Sequence, residues 1–291
     1  SLWDTTGPGR SADAKFAYLN GLLPMHNKVV TLNFRSNHFL SVPEILSRKG
    51  YETIALSGSR SSVWQAAYWY ERYGFEEQIF KPEFPRRYPR NRWGVDDAHV
   101  MEETVDRISR YEKPFMALVA TGSSHPPYNH AASLVETPFL EGLEHEATRR
   151  YLKSMHYVDR SIEHLVNGLK QRKLWKETLL VIVGDHEGIL SERWLKPLGF
   201  TLESERFARK KKKRVPMIVV SGDTNTGLRL ERPRNQPDLA PTLLSLLGVK
   251  PTVYAMVGED LTRETDRVVV LPDYTAVGEH RVFFPDLPTP C

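Results

Sequence analysis

The chain has 291 residues, 40% of them hydrophobic and 26% charged, with 20 prolines and 18 glycines, a composition that excludes a fibrous or disordered chain. A chain of this length buries roughly three quarters of its unfolded surface, so it needs neither disulfides nor a structural metal to hold a core. The single cysteine is Cys291, so no intramolecular disulfide can form, and a net charge of +4 is too small to indicate a nucleic-acid partner.

Helical and strand patterns alternate along the chain, which predicts an α/β fold with a mostly parallel central sheet flanked by helices. Residues 6–14 (Thr-Gly-Pro-Gly-Arg-Ser-Ala-Asp-Ala) are turn-rich and lead into a helical segment through Phe16 and Leu19. Residues 43–49 read as a helix with Pro43 in its first turn, closed by Gly50, and 53–56 as the following strand. A second helix is expected over 62–73, ended by Gly74. Val100, Val105 and Ile108 mark an amphipathic helix over 97–110, and 114–120 then form a buried strand entering the loop 121–128. A long helical pattern covers 146–170. The aliphatic run 178–183 predicts a central parallel strand buried on both faces, ending at Gly184-Asp185-His186.

Residues 209–214 are six consecutive cations, read as a solvated loop before a strand over 215–220, with an anionic membrane surface as the alternative. A helix over 238–247 opens at Pro237-Asp238 and closes at Gly248. Short strands over 267–271 and 281–284 make a small C-terminal β extension. No run of 18 or more apolar residues occurs, so no membrane-spanning helix is expected within the chain.

Three features carry chemistry. Open α/β sheets place ligand sites beyond the carboxyl ends of their strands, and there the adjacent Asp185 and His186 can both reach one divalent cation. The alternative is an aspartate that caps the next turn beside a hydrogen-bonded histidine. Ser11 stands at an expected helix N-terminus, where backbone N–H groups favour a phosphate; it is a candidate N-cap or nucleophile, with Arg10 beside it as a phosphate clamp. His125, in the polar loop after a buried strand, is a phosphoryl-oxygen or proton-transfer candidate or a surface-loop histidine. Trp64 and Trp69 are candidates for a cleft wall or for the core.

In chain order these segments resemble the sulfatase-like catalytic domain of lipoteichoic acid synthases and periplasmic phosphoglycerol transferases, of the alkaline phosphatase superfamily. The resemblance covers most of the chain, from 6–16 through 114–128 and 178–189 to 236–249 and 258–261. It implies a nucleophilic hydroxyl at Ser11 within a Gly-basic-Thr/Ser-x-Asp segment, and metal ligands at Ser11, Asp185 and His186. It further implies substrate contacts at Arg10, Trp64 and His125. Ser57 and Ala66 stand where the family has a pocket histidine and arginine. Ser11 is followed by Ala12, Asp13 and Ala14, which lacks the formylglycine signal of sulfatases proper. The single cysteine separates the chain from the disulfide-rich lipid A phosphoethanolamine transferases. Gln236 precedes Asp238 where two-metal phosphatases place a histidine, so one metal is expected.

The resemblance thus implies a sulfatase-like catalytic domain over 1–250, lacking its first strand, with 251–291 as an extension of the same domain. The family's first-strand glutamate has no counterpart among the ten residues before Ser11, and Asp4 lies too close in sequence to replace it. The implied activity moves a phosphoglycerol-type group from a phospholipid such as phosphatidylglycerol to a glycan or polymer hydroxyl through a phosphoserine. The implied cofactor is one divalent cation, Mn2+ first, with Zn2+ or Mg2+ as alternatives. The implied location is the extracytoplasmic face of a bacterial cell membrane, reached through segments absent from this chain, and no nucleic-acid partner is implied. A phosphodiesterase of the same superfamily and an inactive binding module at an anionic membrane are the competing readings.

Overall fold

The computed structural model describes residues 1–112, 114–188, 213–224, 227, 229–251, 254–263, 267–279 and 281–285. Positions 209–212 of the basic run lie outside the described residues. The chain begins with the short strand β1 (Leu2–Trp3) and helix α1 (Ser11–Asn20), which ends at Gly21 in the left-handed conformation. Helices α2 (Val30–Asn33) and α3 (Val42–Ser47) follow, the second capped by the Ser41 hydroxyl, which accepts the Glu44 N–H. Next come β2 (Glu52–Ser57), α4 (Ala66–Arg72), β3 (Glu77–Ile79), α5 (Asp97–Ile108) and β4 (Phe115–Ala120).

The single helix expected over 62–73 is broken. A 3-10 turn at Val63–Gln65 precedes α4, because Trp64 and Gln65 take left-handed backbone angles, φ 52° and 57°. Apolar spacing carries no sign of such a reversal. Trp64 therefore does not share the register that buries Trp69, whose indole N–H donates to the Thr31 carbonyl at 2.8 Å.

Strands β3, β2 and β4 form a wholly parallel sheet with β2 in the centre. Side chains alternate across β2 with period two: Ile54 and Leu56 face one core cluster and Ala55 the other. The first cluster brings Val100, Val105 and Ile108 of α5 against Leu165 and Leu169 of a long helix that follows the short α6 (Asn129–Ser133); this long helix is α7 (Glu146–Gln171). The second gathers Phe16, Leu19, Trp69, Tyr73 and Phe75. Each of these buried large side chains contributes roughly 1.5–3 kcal/mol of transfer free energy, so the helices on both faces fix the sheet between them.

Strand β5 (Leu179–Val183) departs from its expectation. It pairs antiparallel with β7 (Met217–Ser221), with Val181 opposite Val219, and it is half-buried rather than enclosed on both faces. An aliphatic run fixes a strand but not its partner; here the chain returns alongside it. Pro216, which has no N–H to donate, separates β7 from β6 (Arg214–Val215), and β6 pairs antiparallel with β1 instead. Gly184 continues the β5–β7 ladder by donating to the Pro216 carbonyl, and a Cβ at Gly184 would stand 2.8 Å from Pro216 Cδ.

A 3-10 turn at Gln236–Asp238 opens α8 (Leu239–Leu246). The C-terminal β extension has three short antiparallel strands, β8 (Val269–Val270), β9 (Ala276–Val277) and β10 (Val282–Phe283), with the unanticipated β9 in the middle. Its buried face packs on Trp3.

Gln236, wholly buried, joins these parts. Its Oε1 accepts the Thr5 N–H at 2.7 Å and the Thr5 hydroxyl at 2.9 Å, while its Nε2 donates to the Asp185 carbonyl at 2.5 Å and the Tyr18 hydroxyl at 3.0 Å. Tyr18 in turn donates to the Gly184 carbonyl. Replacing Gln236 by Leu removes all four bonds and leaves buried backbone groups unpaired, at a cost of about 3 kcal/mol or more. The expected result is a lower urea midpoint with an unchanged m-value; a wild-type midpoint would show that the amide holds nothing together.

Candidate active site

Ser11 is the first residue of α1, and the cap position belongs to Arg10, whose backbone is strained at φ 41°. Of the two roles open to Ser11, the N-cap is thus excluded. Among the described residues no hydrogen bond engages its hydroxyl. The loop leading to it is stiff. Asp13, fully buried, accepts the Gly7 and Gly9 N–H groups at 3.1 and 2.9 Å. Burial pushes the Asp13 carboxyl up, and the Gly9, Val30 and Gly7 N–H groups draw it back. Gly9 is required here, since a Cβ would stand 2.3 Å from Asp13 Oδ1.

The turn after β5 meets this loop. Arg10 Nη1 lies 3.4 Å from His186 Nδ1, bringing together residues 176 apart in sequence. His186 Nδ1 also faces the Glu187 carbonyl at 2.8 Å; with a proton on Nδ1 the ring donates to that carbonyl, keeps the Nε2 lone pair and meets Arg10, itself a donor only, by proximity rather than by a hydrogen bond. Asp4 fastens the turn from below: Oδ2 accepts the Glu187 N–H at 2.8 Å, and Oδ1 accepts the Thr6 N–H at 2.8 Å and hydroxyl at 2.6 Å. Both oxygens of Asp4 are thereby committed to the scaffold.

Asp185 and His186 suit a shared cation in chemistry and spacing. Asp185 Oδ2 and His186 Nε2 are 3.6 Å apart, and a tetrahedral cation with bonds of about 2.0–2.1 Å spans about 3.4 Å between two ligand atoms. The Asp185 side chain is 48% exposed; Oδ1 accepts the His186 N–H at 3.0 Å and Oδ2 remains open to a ligand. Among the described residues no group of three or more His, Cys, Asp or Glu side chains converges on one point. Asp185 and His186 are thus the pair of adjacent donors whose spacing fits one cation.

His125 stands in a second cluster at the carboxyl end of β4. Its ring lies against Trp93, centroids 3.6 Å apart, and its Nδ1 faces the Pro126 carbonyl at 3.1 Å. Trp93 Nε1–H donates to the same carbonyl at 3.0 Å. The buried carboxylate of Asp97 accepts the Gly122 and Ser123 N–H groups at 2.8 and 2.9 Å, holding the loop at its root; burial raises the Asp97 carboxyl and those N–H groups lower it. Asn91, Trp93, Gly122, His125, Tyr128 and His130 line a cleft of about 140 Å3. His130 Nε2 is 3.2 Å from the buried Asp96 carboxylate, which also accepts the Tyr157 hydroxyl.

The structure therefore brings Arg10, which precedes Ser11 in the chain, to His186, which follows Asp185. Among the described residues no hydrogen bond or ring contact joins His125 or Trp64 to that group. Asp4, Asp13, Gln236, Asp97 and Trp93 position the loops and carried no assigned role in the sequence reading. Asp13 had a visible signal, its place two residues after Ser11 in the motif; the others act across long sequence separations that no local pattern reports.

The chain matches the family model described as Sulfatase over residues 5–249. It is 28% identical over 275 residues to lipoteichoic acid synthase 2 of Bacillus subtilis (strain 168), a match covering 93% of this chain and 42% of that protein. The solved structure of the lipoteichoic acid synthase LtaP from Listeria monocytogenes superposes with TM-score 0.87 at 19% identity, over 98% of this chain and 72% of that one. The phosphoglycerol transferase GacH of Streptococcus pyogenes, in complex with sn-glycerol-1-phosphate, superposes with TM-score 0.62 at 16% identity, over 84% and 63%. The chain spans about two fifths of the length of the curated relatives it matches. It belongs to the sulfatase family.

Proposed function

We propose that the chain is the catalytic portion of a phosphotransferase that moves a phosphoglycerol-type group from an anionic phospholipid to a glycan or polymer hydroxyl. The observation that carries this reading is the 3.4 Å approach of Arg10 to His186, which links the segment carrying Ser11 to the Asp185-His186 turn. Names of relatives support it: lipoteichoic acid synthases in sequence, and a phosphoglycerol transferase in fold. The reading carries a location with it, the outer face of a bacterial cell membrane.

Ser11 Oγ attacks the phosphorus of the donor phosphodiester. The bond from phosphorus to the diacylglycerol oxygen breaks, that oxygen takes up the proton Ser11 loses, and a phosphoserine ester remains. An acceptor hydroxyl then attacks the same phosphorus, its proton returns to Ser11 Oγ, and the free serine is restored. The positive end of α1 and the Arg10 guanidinium stabilise charge on the phosphoryl oxygens. His125 orients the outer part of the substrate through Nε2, its other nitrogen being engaged with Pro126. The cation, Mn2+ with Zn2+ or Mg2+ as alternatives, would be held by Asp185, His186 and the Ser11 hydroxyl, and when bound supplies a Lewis acid that lowers a coordinated hydroxyl's pKa.

Ser11→Ala is expected to abolish turnover of phosphatidylglycerol, and intact-mass measurement after donor exposure should detect a phosphoglycerol adduct on the wild type alone. An adduct on the alanine variant would move the nucleophile elsewhere. Replacing Asp185 and His186 together by Ala should lower bound manganese, read by elemental analysis, by about tenfold or more; unchanged metal content would remove them as ligands. Product that rises with added glycan acceptor distinguishes transfer from simple hydrolysis.

A further inference from the structure

Residues 21–41, between α1 and α3, form a strap with two faces. Inward, Leu22, Val30, Phe34 and Phe39 pack on the cluster around Phe16 and Trp69. Side chains of α4 bind the strap's backbone: Trp69, Tyr68 and Arg72 donate to the carbonyls of Thr31, Arg35 and Asn37 at 2.8, 2.7 and 2.8 Å. The outward side chains are therefore held in place rather than left loose. Leu23, Met25 and Leu32 are 47%, 41% and 46% exposed. A single exposed apolar residue is ordinary, but three within ten positions of one anchored strap give that strap an unusual apolar exposure.

The charged side chains of the strap itself have one sign, although Glu44 reaches it at 3.1 Å from His38 Nε2. No Asp or Glu occurs between positions 14 and 43. Lys28 and Arg35 are exposed, and Arg35 and Arg72 both lie over the Tyr68 ring, 4.7 and 5.4 Å from its centroid. Among the described residues none of these three cations is in a salt bridge. The strap also borders the loop that carries Ser11: a Cβ at Gly7 would stand 2.4 Å from the Met25 carbonyl oxygen and 3.2 Å from that of His26.

We propose that this strap beds onto the surface of an anionic phospholipid bilayer. Leu23, Met25 and Leu32 enter the interface, while Lys28, Arg35 and Arg72 meet headgroup phosphates. A second copy of the chain is the poorer occupant, since a two-fold contact would press the same uncompensated cations against each other. Resting on the phosphoglycerol-transfer reading, the contact holds the Ser11 loop at the level of the headgroups.

The test is co-sedimentation with phosphatidylglycerol–phosphatidylcholine vesicles and with phosphatidylcholine vesicles alone. The wild type should bind the anionic vesicles, less so as salt rises. The triple variant Leu23→Asp, Met25→Asp, Leu32→Asp and the charge variant Lys28→Glu, Arg35→Glu should each bind about tenfold more weakly. Turnover of a soluble phosphodiester should be unchanged in both. A wild type that ignores anionic vesicles, or a charge variant that binds as wild type does, overturns the proposal. So does a dimer in sedimentation velocity that the triple variant dissolves. Vesicle binding without any phosphodiester turnover would keep the strap assignment and sink the transferase reading; turnover without vesicle binding does the reverse.

Discussion

All four hydrogen-bonding positions of the Gln236 amide are filled inside the protein, by Thr5, Tyr18 and the Asp185 backbone. A buried amide is tolerable only when satisfied in this way, and the partners it needs come from segments up to 231 residues apart. The N-terminal strand, α1 and the end of β5 are thereby drawn to one point. The meeting of Arg10 with His186 follows from that geometry.

Carboxylates divide into two kinds. Asp4, Asp13 and Asp97 are buried and accept backbone N–H groups, through both oxygens of Asp4 and of Asp97 and through Oδ2 of Asp13, which offsets the cost of burying charge and ties the loops down. Asp185 is half exposed; one oxygen accepts the His186 N–H and the other faces outward beside the imidazole. The difference between scaffold and chemistry lies in this partition of exposure, since the side chain is the same.

Part of the strained backbone falls near these loops, and part elsewhere, at Lys173 and Tyr274. Of the non-glycine residues at positive φ, Arg10 precedes the serine, Trp64 and Gln65 break the helix before α4, and Tyr128 closes the His125 loop. Each costs of order 1–3 kcal/mol and persists only where packing dictates it. The dense contacts around Asp13, Trp69 and Asp97 are the packing that does so.

Local chemistry was legible in the sequence. The α/β alternation and the elements α3, β2, α5, β4 and α7 follow from periodicity and caps, and Ser11, Asp185 and His186 stand out as candidates by motif, all of them signals that act over a few residues. Those signals also reach their limit there. The aliphatic run of β5 reads the same whether its neighbour is parallel or antiparallel, so its pairing with β7 was decided by the return of the chain. Likewise, Trp64 and Trp69 are five residues apart and alike in composition, and only the left-handed turn separates the buried one from the other. Gln236, Asp4 and Trp93 gain their roles from partners that tertiary packing alone supplies.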